Sequence, residues 1–232
     1  MGQWWHAGGE TAVRYCSGVP SSPVRAALTA AVADHRLLDH PYYRKWQAGE
    51  LTVEDLAAYA AQYRRFEEVL PEVLSNVAGQ LPEGPVRRLV ADNLEDEKSH
   101  PRAHLELFDG FAGAVGADTA TASTTATARL VDVYLDGVGE GAVPALAVIA
   151  AYESQAAEIA STKADALRDH FDFGPAATEF WDVHAGMEGS HSEWTLEALA
   201  SLEAEPEVVA EWASKSARAW WSFLDERDQG SF

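Results

Sequence analysis

Apolar residues recur at three- and four-residue intervals along nearly the whole chain, and no stretch sustains the strict alternation of a half-buried strand. This period predicts helices over residues 23–38, 42–48, 52–77, 84–116, 124–137, 142–170, 175–203 and 206–226. The fold class it implies is all-α, a bundle of about seven to eight helices. "GELTVEDL" marks one start, with Thr52 as the cap and acidic residues in the first turn. Pro71 and Pro101 fall inside helical patterns, where a missing N–H and a ring clash should bend the chain. The small, polar stretch "FAGAVGADTATASTTATARL" reads as a surface connection leading into a helix start. Nothing repeats at a solenoid period. The expected organisation is therefore one helical domain over 22–226, between an N-terminal extension over 1–21 and a C-terminal tail over 227–232.

Charge and cysteine content narrow the partners. The 232 residues include 17 basic and 37 acidic side chains, a formal net charge of −20, so nucleic acid and anionic membrane surfaces are repelled. Cys16 is the only cysteine, which excludes an intrachain disulfide and a cysteine-based zinc site and fits a reducing cytoplasm. The longest apolar run, "AVPALAVIAAY", is too short to span a bilayer, and the first residues lack a secretion signal. A homodimer is the expected assembly, with Trp220 and Trp221 either surface tryptophans available to it or packed internally.

Three segments carry metal-capable side chains. "FWDVHAGMEGSHSEW" sets His184, Glu188 and His191 at i, i+4 and i+7, one stripe of a helix. "DNLEDEKSHPRAHLELF" holds Glu97, His100 and His104, and "AYESQAAEIASTK" holds Glu153 and Glu158. Imidazole and carboxylate without thiolate suit iron or manganese at least as well as zinc, and two metals need carboxylates to offset their charge. Spacing alone allows two ligand sets. A ferritin-like set pairs Glu97-x-x-His100 with Glu188-x-x-His191 and adds Glu67 or Glu68 and Glu153. The other takes Glu97, His104, Glu153, His184, Glu188 and His191. Against both stands the plain reading of solvated Glu/His pairs on helix surfaces.

In order and spacing, "HPYYRKWQAGELTVEDLAAYAAQY", "DNLEDEKSHPRAHLELF", "YESQAAEIASTKADAL" and "FWDVHAGMEGSH" resemble the heme-oxygenase-like di-metal oxidases, which share a scaffold with the TenA and PqqC proteins. Within that superfamily they are most similar to the p-aminobenzoate-forming branch typified by the chlamydial death-domain-associating protein (CADD). The resemblance spans roughly residues 35 to 225. It implies the second ligand set, holding two non-heme metal ions, iron or manganese, that work with O2 and an external reductant. It also implies that the chain's own side chains are the substrate, for folate synthesis: Tyr43 supplies the ring and Lys163 the amine, with Tyr152 beside the ligand Glu153. The family often has Asp where this chain has Glu188. Tyr63 is similar to aromatic pocket residues elsewhere in the superfamily. Two other functions stay open: the same oxidase acting on a free amino acid or fatty acid, and a metal-free TenA-like hydrolase or binding protein. The hydrolase lacks a nucleophile in the helical region, because Cys16 lies in the extension.

Overall fold

A computed structural model describes residues 22–99 and 101–230, with Glu188 described only through its helical backbone. The extension over 1–21, with Cys16, and His100 lie outside the described residues. Among the described residues nine α-helices form: α1 (Pro23–Val32), α2 (Pro41–Gln47), α3 (Val53–Gln80), α4 (Pro85–Ser99), α5 (His104–Ala114), α6 (Thr125–Glu140), α7 (Ala142–Phe171), α8 (Pro175–Ser201) and α9 (Pro206–Asp228). Two single 3-10 turns, Ala33–His35 and Leu37–Asp39, join α1 to α2, and no strand forms among the described residues.

Local chemistry fixes the helix starts. The Thr52 hydroxyl accepts from the Asp55 N–H while the Asp55 carboxylate accepts from the Thr52 N–H, a reciprocal capping box that opens α3. His40 Nδ1 accepts from the Tyr42 N–H at 3.0 Å and opens α2, where Pro41 has no N–H to satisfy. Pro175 and Pro206 open α8 and α9 in the same way. The helix α7 lies at the centre, with α6, α8 and α9 packed along it. Its residues Ala145 to Glu153 are all buried, so neighbours cover it on every side. Alanine fills much of that run, and a small side chain lets other helices approach closely.

Two predicted helices break earlier than their periodicity suggests. The stretch 84–116 is two helices, α4 and α5, because Pro101 removes a ladder N–H and disfavours helical backbone before it. The first predicted helix ends at Val32 and gives way to the 3-10 turns. Pro71, by contrast, stays inside α3, which continues to Gln80. At the far end α9 reaches Asp228, and buried Arg227 bonds Thr124 at 2.9 Å and Thr127 at 3.0 Å. Trp220 takes the internal alternative: it lies in the core, donating from its indole N–H to the Tyr134 hydroxyl at 3.0 Å, and offers nothing to a second copy.

Candidate metal centre

The break at Pro101 builds the centre of the site. Glu97 sits near the end of α4 and His104 is the first residue of α5, so the turn between them folds the two side chains face to face. His104 Nδ1 lies 2.9 Å from Glu97 Oε2, and both side chains are buried. His184 comes in from α8 with its ring centroid 4.5 Å from that of His104. One ligand atom from each of Glu97, His104 and His184 lies within 4.8 Å of the other two. His184 Nδ1 sits 2.8 Å from the Phe180 carbonyl. A carbonyl can only accept, so the proton is on Nδ1 and the Nε2 lone pair is the one a metal would take.

Around this trio lie further acids. Glu153 of α7 is buried, accepting from Asn93 Nδ2 at 2.8 Å and from the Thr195 hydroxyl at 2.6 Å. His191, also buried, places Nε2 3.1 Å from Asp96 Oδ2. Glu67 of α3 is 3% exposed and stands one helical turn after Tyr63. Glu67, Glu97, Glu153, His184, Tyr63 and Tyr152 line one cavity of about 20 Å³, room for one or two waters. Burial pushes the Glu67 carboxyl up to about 8, reinforced by the charge of Glu97. Burial also raises Glu153. It pushes Glu97 up as well, but the hydrogen bond and charge of His104 outweigh it and hold that carboxyl below the ordinary value. Desolvation and the neighbouring His104 lower His184 to about 3.

A buried cluster of tyrosines and one lysine adjoins the cavity. The Tyr63 and Tyr152 hydroxyls are 2.8 Å apart, and the Tyr63 ring stacks on Tyr59 at 5.3 Å. Beyond Tyr59, the Lys163 Nζ donates to the Tyr59 hydroxyl at 2.7 Å and to the Tyr43 hydroxyl at 3.0 Å, and those two hydroxyls are 2.9 Å apart. Lys163 is 2% exposed and roofed by the Trp181 ring at 4.1 Å. Burial drives its pKa well below a lysine's ordinary value, and the charge of Glu67 recovers only part of the shift. The amine is thus weighted toward its neutral form.

A family model described as an iron-containing redox enzyme matches residues 57–222, more than half of the chain. The chain belongs to that family. Among its relatives, a 4-aminobenzoate synthase of Nitrosomonas europaea is 33% identical over 218 residues, covering 85% of this chain and 88% of its own length. A 4-aminobenzoate synthase of Chlamydia muridarum is 27% identical over 205 residues, covering 85% of this chain and 87% of its own. A TenA homologue of Pseudomonas syringae superimposes with a TM-score of 0.77 over 88% of this chain and 92% of its own, at 14% identity, which shows the shared fold.

For a redox enzyme of this family the donor set fits a metal. Three buried carboxylates line a cavity of that size, and anions desolvated together need positive charge to offset them. Oxygen and nitrogen donors without sulfur match iron. The structure brings Glu97, His104 and His184 together and sets Glu153 on the same cavity wall; His191 stands against Asp96, and the side chain of Glu188 lies outside the described residues. Glu158 is elsewhere, paired with Arg36 on the surface at 3.3 Å, and Glu68 pairs with Arg64 and Arg65. Tyr43 does not line the cavity and is reached through Tyr59 and Tyr63.

Sequence reasoning missed Tyr59, Asn93, Asp96 and Thr195. Tyr59, Tyr63 and Glu67 stand at i, i+4 and i+8, one stripe of α3, and that spacing was the available signal. The buried, neutral His184 makes stability depend on pH. Folded His184 takes a proton only near pH 3, whereas an unfolded histidine takes it near 6.5. The unfolded chain therefore binds more protons across that window, and the contribution is lost as pH falls through it, by at most about 1.4 kcal/mol per pH unit. In urea melts of the metal-free protein from pH 7 to pH 5, His184→Gln should show a shallower fall in midpoint than wild type. Parallel slopes would contradict this.

Proposed function

We propose that this oxidoreductase forms 4-aminobenzoate (p-aminobenzoate) from its own side chains, using O2, an external reductant and two non-heme metal ions, iron or iron with manganese. Glu97, His104, Glu153, His184, Glu188 and His191 would hold the ions. When bound, these ions supply the capacity to pass electrons from the reductant to dioxygen.

The observation that carries the substrate is the contact of Lys163 with Tyr43. In 4-aminobenzoate the amine stands para to a one-carbon substituent, as the hydroxyl of tyrosine stands para to its Cβ. Replacing that oxygen with nitrogen needs an amine near the hydroxyl-bearing carbon, and Lys163 Nζ lies 3.0 Å from the Tyr43 hydroxyl. The amine must carry a lone pair to bond to carbon, and burial favours that form. Tyr59 holds both groups in register through its two hydrogen bonds. Tyr63 and Tyr152 connect this cluster to the acid-lined cavity, and the aromatic shell keeps water out of it. A cavity of about 20 Å³ has no room for a free amino acid or fatty acid, which disfavours an outside substrate. Anaerobic loading with Fe(II) followed by metal analysis tests the centre itself. Two ions per chain are expected; less than one per chain would favour a metal-free binding protein.

A further inference from the structure

Glu67 has no assigned part in the reaction, yet it occupies a particular place. It projects from α3, a helix that supplies none of the six ligands named above, onto the wall of the cavity shared by Glu97, Glu153 and His184. It is 3% exposed. One turn before it on the same stripe of α3 stands Tyr63, whose hydroxyl is 2.8 Å from that of Tyr152 and which lines the same cavity. A purely structural polar group on this wall needs no carboxylate, because an amide or hydroxyl would serve without the desolvation penalty of an acid. An acid retained there, facing two other buried acids, calls for a cation on the cavity side.

We infer that Glu67 is a fourth carboxylate of the metal centre, bound to or facing the second ion from the side of α3. This rests on the dimetal reading and deepens it. Two divalent ions carry four positive charges; Glu97, Glu153 and Glu188 offset three, and Glu67 brings the reduced centre to neutrality in a region with little solvent to screen the remainder. The same carboxylate shares the cavity wall with Tyr63 and Tyr152, so it stands where the metal side of the site meets the tyrosine and lysine cluster.

The experiment is equilibrium dialysis of wild type, Glu67→Gln and Glu67→Leu against Fe(II) without oxygen, and in parallel against Mn(II), with bound metal counted per chain. Gln keeps the size and polarity of the side chain but removes the charge, so a purely structural role would leave metal binding unmoved. The expected result is two ions in wild type, with the second ion at least tenfold weaker in both variants while the first is retained. Metal-induced gain in melting temperature should shrink in the same variants. If Gln fails to fold, Leu, an apolar replacement suited to a wall that includes Phe66 and Leu70, decides alone. Wild-type affinity for both ions in a folded variant would overturn the inference and leave the dimetal centre standing. Fewer than two ions in wild type would overturn both.

Discussion

Tyr43→Phe should release no 4-aminobenzoate while binding metal as wild type does. The substitution removes only the hydroxyl that touches Lys163 and Tyr59, and it leaves every residue of the acid-lined cavity in place. A phenyl ring lacks the oxygen at the carbon that must receive nitrogen, so the ring is present and the chemistry is not. Two buried hydrogen bonds are lost, at a cost of about 1–3 kcal/mol, and the protein should still fold. Lys163→Met tests the other half of the contact. The thioether chain fills the space under Trp181, removes the nitrogen, and should likewise stop product without changing metal content. Product from either variant at the wild-type yield would dismiss the side-chain origin.

His104→Ala should have the opposite signature, losing metal first and product as a consequence. The imidazole is both a candidate ligand and the ion-pair partner of Glu97 at 2.9 Å. Without it the two strongest of the influences that hold the Glu97 carboxyl low are lost, only the weaker ones of His184 and His191 are left against burial, and a carboxyl pushed toward protonation is a poorer ligand. Even partners outside the ligand shell change metal affinity roughly 10–100-fold, so loss of a ligand with its neighbour's charge should exceed that. Metal per chain by elemental analysis should fall by at least half in His104→Ala, with helical circular dichroism retained. Full occupancy in this variant would remove His104 from the centre.

The features of the site that follow from helical period were legible, and those that depend on where helices meet were not. His184 and His191 share a stripe of α8, and the apolar run before Glu153 announced its burial. Periodicity passes straight through Pro101; the proline signals a bend there but not the full separation of α4 from α5 that turns His104 onto Glu97. Lys163 looks like a surface residue in "ASTKADAL", because its burial comes from Tyr43 and Trp46 on α2, Tyr59 on α3 and Trp181 on α8. The contact of Asp96 with His191 joins α4 to α8 across 95 positions, beyond any local pattern. Trp220 reads as amphipathic on α9, and only packing against Tyr134 and Tyr152 shows that it faces inward.

The claim on which this account turns is that the chain is its own substrate. The direct measurement is to express the protein with isotope-labelled tyrosine rings, load it with iron and, in parallel, with iron plus manganese, and give it O2 and reductant without any other small molecule. The account predicts ring-labelled 4-aminobenzoate at no more than one molecule per chain, and a peptide spanning Tyr43 that has lost its side-chain mass. An intact Tyr43 peptide, with unlabelled product appearing only when a free substrate is added, would contradict it.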